Sequence, residues 1–70
     1  MKTGLYKHFK GGTYWVTGTA IHTETEEEFV IYHNINVPEK VFIRPFKMFN
    51  ETIEREGKQV KRFDYMGEEA

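Results

Sequence analysis

The chain has no cysteine, no serine and only two prolines. Without cysteine there are no disulfides, no thiolate metal sites and no Cys nucleophile. Without serine there is no Ser-His-Asp triad. No charge of one sign dominates: ten basic residues stand against eleven acidic ones, for a formal net charge of −1. That balance argues against strong non-specific nucleic-acid binding, which needs a cationic excess to displace counterions from phosphates. There is no apolar h-region at the N-terminus and no run long enough to span a bilayer. No membrane partner is therefore expected, and a cytoplasmic location is. A phosphate-cradling loop is missing too, because Gly11-Gly12 lacks the strand-turn-helix setting that gives such glycines meaning. No motif calls for a cofactor.

What the chain has is aromatic rings, which make up 16% of its 70 residues. A chain this short makes one domain and buries only about 60% of its unfolded surface. With no covalent staple, it must rely on a well-packed aromatic core or on self-association. We expect a single domain over residues 1–65 and a flexible tail over 66–70.

The organising stretch is Thr13 to Asn34, which reads as a long β-hairpin. Its first arm is Thr13 to His22 and its second is Glu28 to Asn34, with an acidic tip between them. Period-2 geometry sends Tyr14, Val16 and Ala20 to the core face and Trp15 to the other. Gly18 in mid-strand predicts a bulge or a close backbone approach. Before the hairpin, Leu5 to Lys10 reads as a strand that stops at Gly11-Gly12. After it, Asn34 to Lys40 reads as a loop and Val41 to Arg44 as a short strand ended by Pro45. A single helical or 3₁₀ turn near Pro45–Phe49 follows, with Met48 and Phe49 plugging one open end of the core. Glu51 to Glu56 and Lys58 to Phe63 read as a last hairpin around Gly57, a charged edge. Tyr65 to Ala70 is expected to fray. Together these predict a mainly β fold: about five or six short antiparallel strands in a small SH3-like barrel or roll.

Several stretches in this order resemble a known family. Tyr6-Lys7-His8-Phe9-Lys10-Gly11, Tyr14-Trp15-Val16, Ala20-Ile21-His22-Thr23-Glu24-Thr25, Val30-Ile31-Tyr32 and Phe42-Ile43-Arg44-Pro45 with Met48-Phe49 are similar to short bacterial proteins of domain-of-unknown-function family 1653. The resemblance covers about Gly4 to Phe63. It implies an SH3-like barrel or roll and carries no catalytic assignment. Two departures stand out. Asn34 to Lys40 lacks the Gly and Tyr the family favours, and Phe42 stands where the family often has Trp.

The candidate ligand-binding residues are His22, Thr23, Glu24, Arg44, Trp15 and His8. His22 can bind metal or move protons near neutral pH, and Glu24 can orient it or act as a base. The plainer alternative is that Thr23 and Thr25 hydroxyls cap turn amides at a solvated tip. The zinc-deaminase signature also opens with His-x-Glu but needs later cysteines that are missing. A metal site from His8, His22, His33 and Glu24 has no diagnostic spacing, and none is expected. His8 itself suits a half-buried strand position bonded to the backbone. Arg44, at a strand end, can clamp a phosphate or carboxylate, or can pair with a glutamate or stack on a ring. Trp15 marks either a binding surface or the outside of the core.

Three functions remain open. The first is a non-enzymatic binding module with a groove lined by Tyr6, Tyr14, Trp15 and Tyr32, for a peptide, a protein or single-stranded nucleic acid. The second is an enzyme or small-ligand sensor built on a pocket of His22, Glu24 and Arg44. The third is a homo-oligomeric structural protein.

Overall fold

The computed structural model describes residues 1–68. Its elements in order are β1 (Gly4–His8), β2 (Thr13–Ile21), β3 (Glu28–Asn34), β4 (Val41–Pro45), α1 (Phe46–Phe49), β5 (Thr52–Arg55), β6 (Lys58–Lys61) and β7 (Phe63–Gly67). Five strands form one antiparallel sheet in the order β4-β3-β2-β1-β7, and β5 with β6 forms a separate ribbon. The mainly β architecture with one helical turn after Pro45 matches the sequence prediction. The strand count is seven rather than five or six, and the sheet is not a closed barrel. Its edges, β4 and β7, are not paired with each other, and β5 with β6 lies between them in sequence as its own ribbon. Glu56 and Gly57, both at positive φ (53° and 78°), make the tight turn of that ribbon.

The long hairpin is present as predicted, and Gly18 marks its bulge. Val16 lies opposite Tyr32, but Gly18 lies opposite Ile31, so Thr17 is the extra residue. One inserted residue swaps the faces of everything beyond it. Val16 is fully buried, whereas Ala20, expected on the core face, is exposed on the other. Beyond the bulge Thr19 takes the inner side, opposite fully buried Val30.

The core lies on the inner face of the sheet: Tyr6, Val16, Val30, Tyr32 and Phe63, closed by Phe49 from α1. Pro45 fixes φ at −52° and gives no N–H to the ladder, so the strand ends and the turn begins there. The turn brings Phe49 fully into the core, as expected of the plug, while Met48 stays 40% exposed. Phe63 to Gly67 is the element the sequence did not predict. Tyr65 and Gly67, expected to fray, belong to β7 and pair with β1: Phe63 lies opposite His8, Tyr65 opposite Tyr6 and Gly67 opposite Leu5. Residues 69 and 70 of the expected tail lie outside the described residues.

The outer face of the sheet is also apolar. Leu5, Trp15, His33 and Val41 form one cross-strand row, Ile31 and Ile43 the next, and Ala20, Phe29 and Pro45 a third. Val41 and Ile43 are 60% and 64% exposed there. Among the described residues no helix is long and apolar enough to cross a membrane.

Candidate functional site

Alternation along each strand sends one set of side chains inward, and five strands contribute to a single groove there. β1 ends on His8, β2 begins with Tyr14, β3 gives Tyr32, β4 gives Phe42 and Arg44, and β7 gives Phe63. These six residues line a groove of about 260 Å³. Its rings meet edge to face or tilted. Tyr32 lies 5.6 Å from Phe63, 5.7 Å from Tyr14 and 5.8 Å from Phe42, centroid to centroid. His8 meets Phe63 at 4.8 Å. Phe49 supports this floor from below through its stack on Phe63.

Arg44 is the fixed cation of the groove. Its Nε donates to the Tyr32 hydroxyl at 3.1 Å, one Nη donates to Met48 Sδ at 3.3 Å, and its guanidinium lies 5.8 Å from the Phe63 ring centroid. Among the described residues the one ion pair is Arg62 with Glu51 at 3.0 Å, so Arg44 faces no carboxylate. Its remaining N–H groups have no protein acceptor among those residues and are open to a ligand.

His8 is the second polar group. Its Nδ1 accepts the backbone N–H of Lys10 at 3.1 Å, which puts the proton of the neutral ring on Nε2. Burial pushes its pKa down, and the charges of Arg44, Arg62 and Lys10 push the same way. His8 is therefore neutral at pH 7 and lines the same groove as Arg44 with its proton on Nε2.

The other sequence candidates lie elsewhere. The His22 ring closes the hairpin tip, its Nδ1 accepting the backbone N–H groups of Glu24 at 3.2 Å and Thr25 at 3.3 Å. Thr25 Oγ1 caps Glu27 N–H at 3.2 Å, so of the two threonines expected to cap the turn it is Thr25 that does, together with His22. The His22 ring leans toward Phe29, 6.3 Å away, on the opposite face of β3 from Val30, Tyr32 and the groove. His22, Thr23 and Glu24 are thus not brought together with Arg44. Trp15 lies half-buried on the outer face between Leu5 and His33. Tyr6 is buried in the core, with its hydroxyl donating to Lys2 O at 2.6 Å. Among the described residues no three His, Asp or Glu side chains group closely enough to hold a metal ion.

The structure pairs Arg44 with His8, Tyr14 and Tyr32, and adds Phe42 and Phe63, which the sequence did not single out as groove residues. Phe42 had a readable signal: it stands two residues before Arg44 on one strand and shares its face.

The fold that holds this groove recurs in a solved structure. The family "Protein of unknown function (DUF1653)" matches over residues 4–65. The chain belongs to DUF1653. A crystal structure of a DUF1653 protein from Bordetella bronchiseptica is similar over the whole fold. Its TM-score is 0.86 at 30% sequence identity, with 100% of this chain and 92% of that one covered. No curated protein matches the chain. Membership of DUF1653 fixes the fold and carries no activity with it, so the chemistry of the groove must be argued from its own side chains.

Proposed function

We propose that this protein is a non-enzymatic binding module whose inner groove recognises a ligand joining a planar ring to a phosphate or carboxylate. The observation that carries this is Arg44, half-buried among aromatic rings, oriented by Tyr32 and Met48, and facing no carboxylate among the described residues. A guanidinium held in place loses little freedom on binding and matches a two-oxygen anion with a pair of parallel donors. Tyr14, Tyr32, Phe42 and Phe63 give a planar group surfaces to pack against. The groove walls carry no carboxylate and no nucleophile with a base beside it, which favours recognition over reaction. A bacterial cytoplasm suits a cysteine-free chain and the bacterial source of the similar structure.

The test is chemical-shift mapping with adenosine monophosphate, indole-3-acetate and uncharged adenosine. The two anions should perturb Tyr14, Tyr32, Phe42 and the Arg44 Nε signal, and adenosine should bind about tenfold more weakly, one charge-assisted contact. A groove that responds to none of the three would overturn the proposal.

A second function, homo-oligomerisation, is favoured by the outer face, whose three cross-strand rows hold no charged side chain and leave Ile43 64% exposed. Sedimentation should then show dimers at micromolar concentration that Ile43→Lys dissociates. A stable wild-type monomer would remove this function.

A further inference from the structure

His8 also borders a second, larger groove of about 560 Å³ between the end of β1, the edge strand β7 and the β5–β6 ribbon. Its walls carry Lys7, Arg55 and Lys61 against the single carboxylate of Asp64, with Phe9 among them. These cations are partly fixed. One Nη of Arg55 donates to the carbonyl of Phe9 at 2.9 Å, and the Arg55 guanidinium lies 5.4 Å from the Phe9 ring centroid. Lys10 approaches the same ring at 5.7 Å. Rings and cations therefore run on from the first groove into the second.

We propose that the two grooves form one track for single-stranded nucleic acid, an inference that rests on the anion-binding role of the Arg44 groove. A base and its phosphate occupy the inner groove, on the aromatic rings and Arg44. The following phosphates lie along Arg55, Lys7 and Lys61, with Phe9 as a further stacking surface. Interleaved rings and cations are what an unpaired strand requires, since each nucleotide brings one flat face and one charge. A duplex keeps its bases stacked on one another and leaves the rings without a partner. An acidic peptide would use the cations and leave the rings idle.

The net charge of −1 does not oppose this, because the charge is unevenly placed. Glu24, Glu26, Glu27 and Glu28 sit together at the hairpin tip, so ten basic residues face only seven acidic ones elsewhere. Lys7 lies opposite Thr13, at the other end of β2 from the tip. The nine residues of β2 put those ends about 26 Å apart, at about 3.3 Å per residue. Charge at that distance is screened by physiological salt, whose Debye length is about 8 Å.

The experiment compares fluorescence anisotropy of labelled oligothymidylates, from two to ten nucleotides, with calorimetry of thymidine monophosphate. It uses the wild type and Arg55→Gln/Lys61→Gln, whose two substitutions lie outside the inner groove. Affinity should rise at least tenfold from the mononucleotide to the hexamer. The double variant should lose about tenfold on the hexamer and nothing on the mononucleotide. Its salt dependence should be shallower by about 1.4 log units per decade, at about 0.7 per phosphate contact. Equal affinity for mononucleotide and hexamer would overturn the track and leave the Arg44 groove standing. Equal binding of a duplex, or of a glutamate oligomer of the same charge, would also overturn it. Failure of the mononucleotide to bind the wild type would overturn the groove itself.

Discussion

The ring of Phe49 lies parallel to that of Phe63, with centroids 4.0 Å apart and planes 3° apart. One comes from the helical turn after β4 and the other from the last strand. Their contact joins the core to the floor of the groove, because Phe63 lines the groove while Phe49 is wholly buried beneath it. Phe49→Ala should therefore cost about 3–5 kcal/mol, the usual range for an aromatic removed from a core. A domain with about 5–15 kcal/mol in total would then be close to unfolding. Urea denaturation checks this, and a loss below about 1 kcal/mol would mean that Phe49 does not hold the core. Phe49→Leu should fold with a smaller loss and a weakened groove.

Gly4 makes a second stability prediction. Its φ is +129°, and a Cβ there would sit 2.5 Å from the carbonyl oxygen of Gly67. That oxygen belongs to the backbone of β7 and cannot swing aside as a side chain can. Gly4→Ala should cost more than the roughly 1–3 kcal/mol of backbone strain alone and should loosen β7 from β1. Hydrogen exchange should show the amides of β7 losing protection first. Gly11→Ala is the comparison: its Cβ would meet nothing within 4 Å, though its φ of +101° still carries strain.

Histidine 8 sets an acid limit. Its folded pKa is lowered below 6.5, first by burial and then by Arg44, Arg62 and Lys10. The unfolded chain therefore takes up the proton more readily than the folded one. The stability His8 permits is fully present above about pH 6.5 and is lost as pH falls from there through the lower folded pKa. His8→Gln should remove this slope between pH 7 and 5 in thermal melts. An anion bound beside His8 offsets the cations and raises its pKa, so binding should draw in a proton. Calorimetry of adenosine monophosphate in buffers of different ionisation heat should show more proton uptake for the wild type than for His8→Gln. Equal uptake would place the phosphate away from His8.

Arg44→Lys separates charge from geometry. Lysine keeps the positive charge but loses the fork that Tyr32 and Met48 orient, and the flat face toward Phe63. Affinity for adenosine monophosphate should fall about tenfold, or 1.4 kcal/mol. Because Arg44 is only half-buried, stability should change by less than about 1 kcal/mol. Unchanged affinity would show that a point charge suffices.

Much of this architecture is legible in local chemistry. Gly18 announces its bulge and Pro45 its strand end. Phe49 is placed in the core because a turn after proline brings it there. What is not legible is non-local. Ala20 looks inward by simple alternation, and only the residue inserted at Thr17 reverses it. Phe63 and Tyr65 alternate as a strand should, but their partner is β1, at the far end of the sequence, and no nearby turn announces that pairing. His22 carries the chemistry of a site, yet its ring nitrogen is engaged in holding a turn. Arg44 and His8 read as isolated candidates because β3 and β2 lie between β4 and β1 in the sheet, and only the fold shows that they face one groove.

The pairing of β7 with β1 also makes the groove depend on the docking of one strand. Four strands of the sheet, β1 to β4, carry five of the six groove residues. The sixth, Phe63, takes its place through the pairing of β7 with β1. Contacts between distant parts of a chain cost loop-closure entropy and slow folding. A ligand of the proposed groove would therefore bind only molecules in which β7 is docked, and by mass action would hold that strand in place.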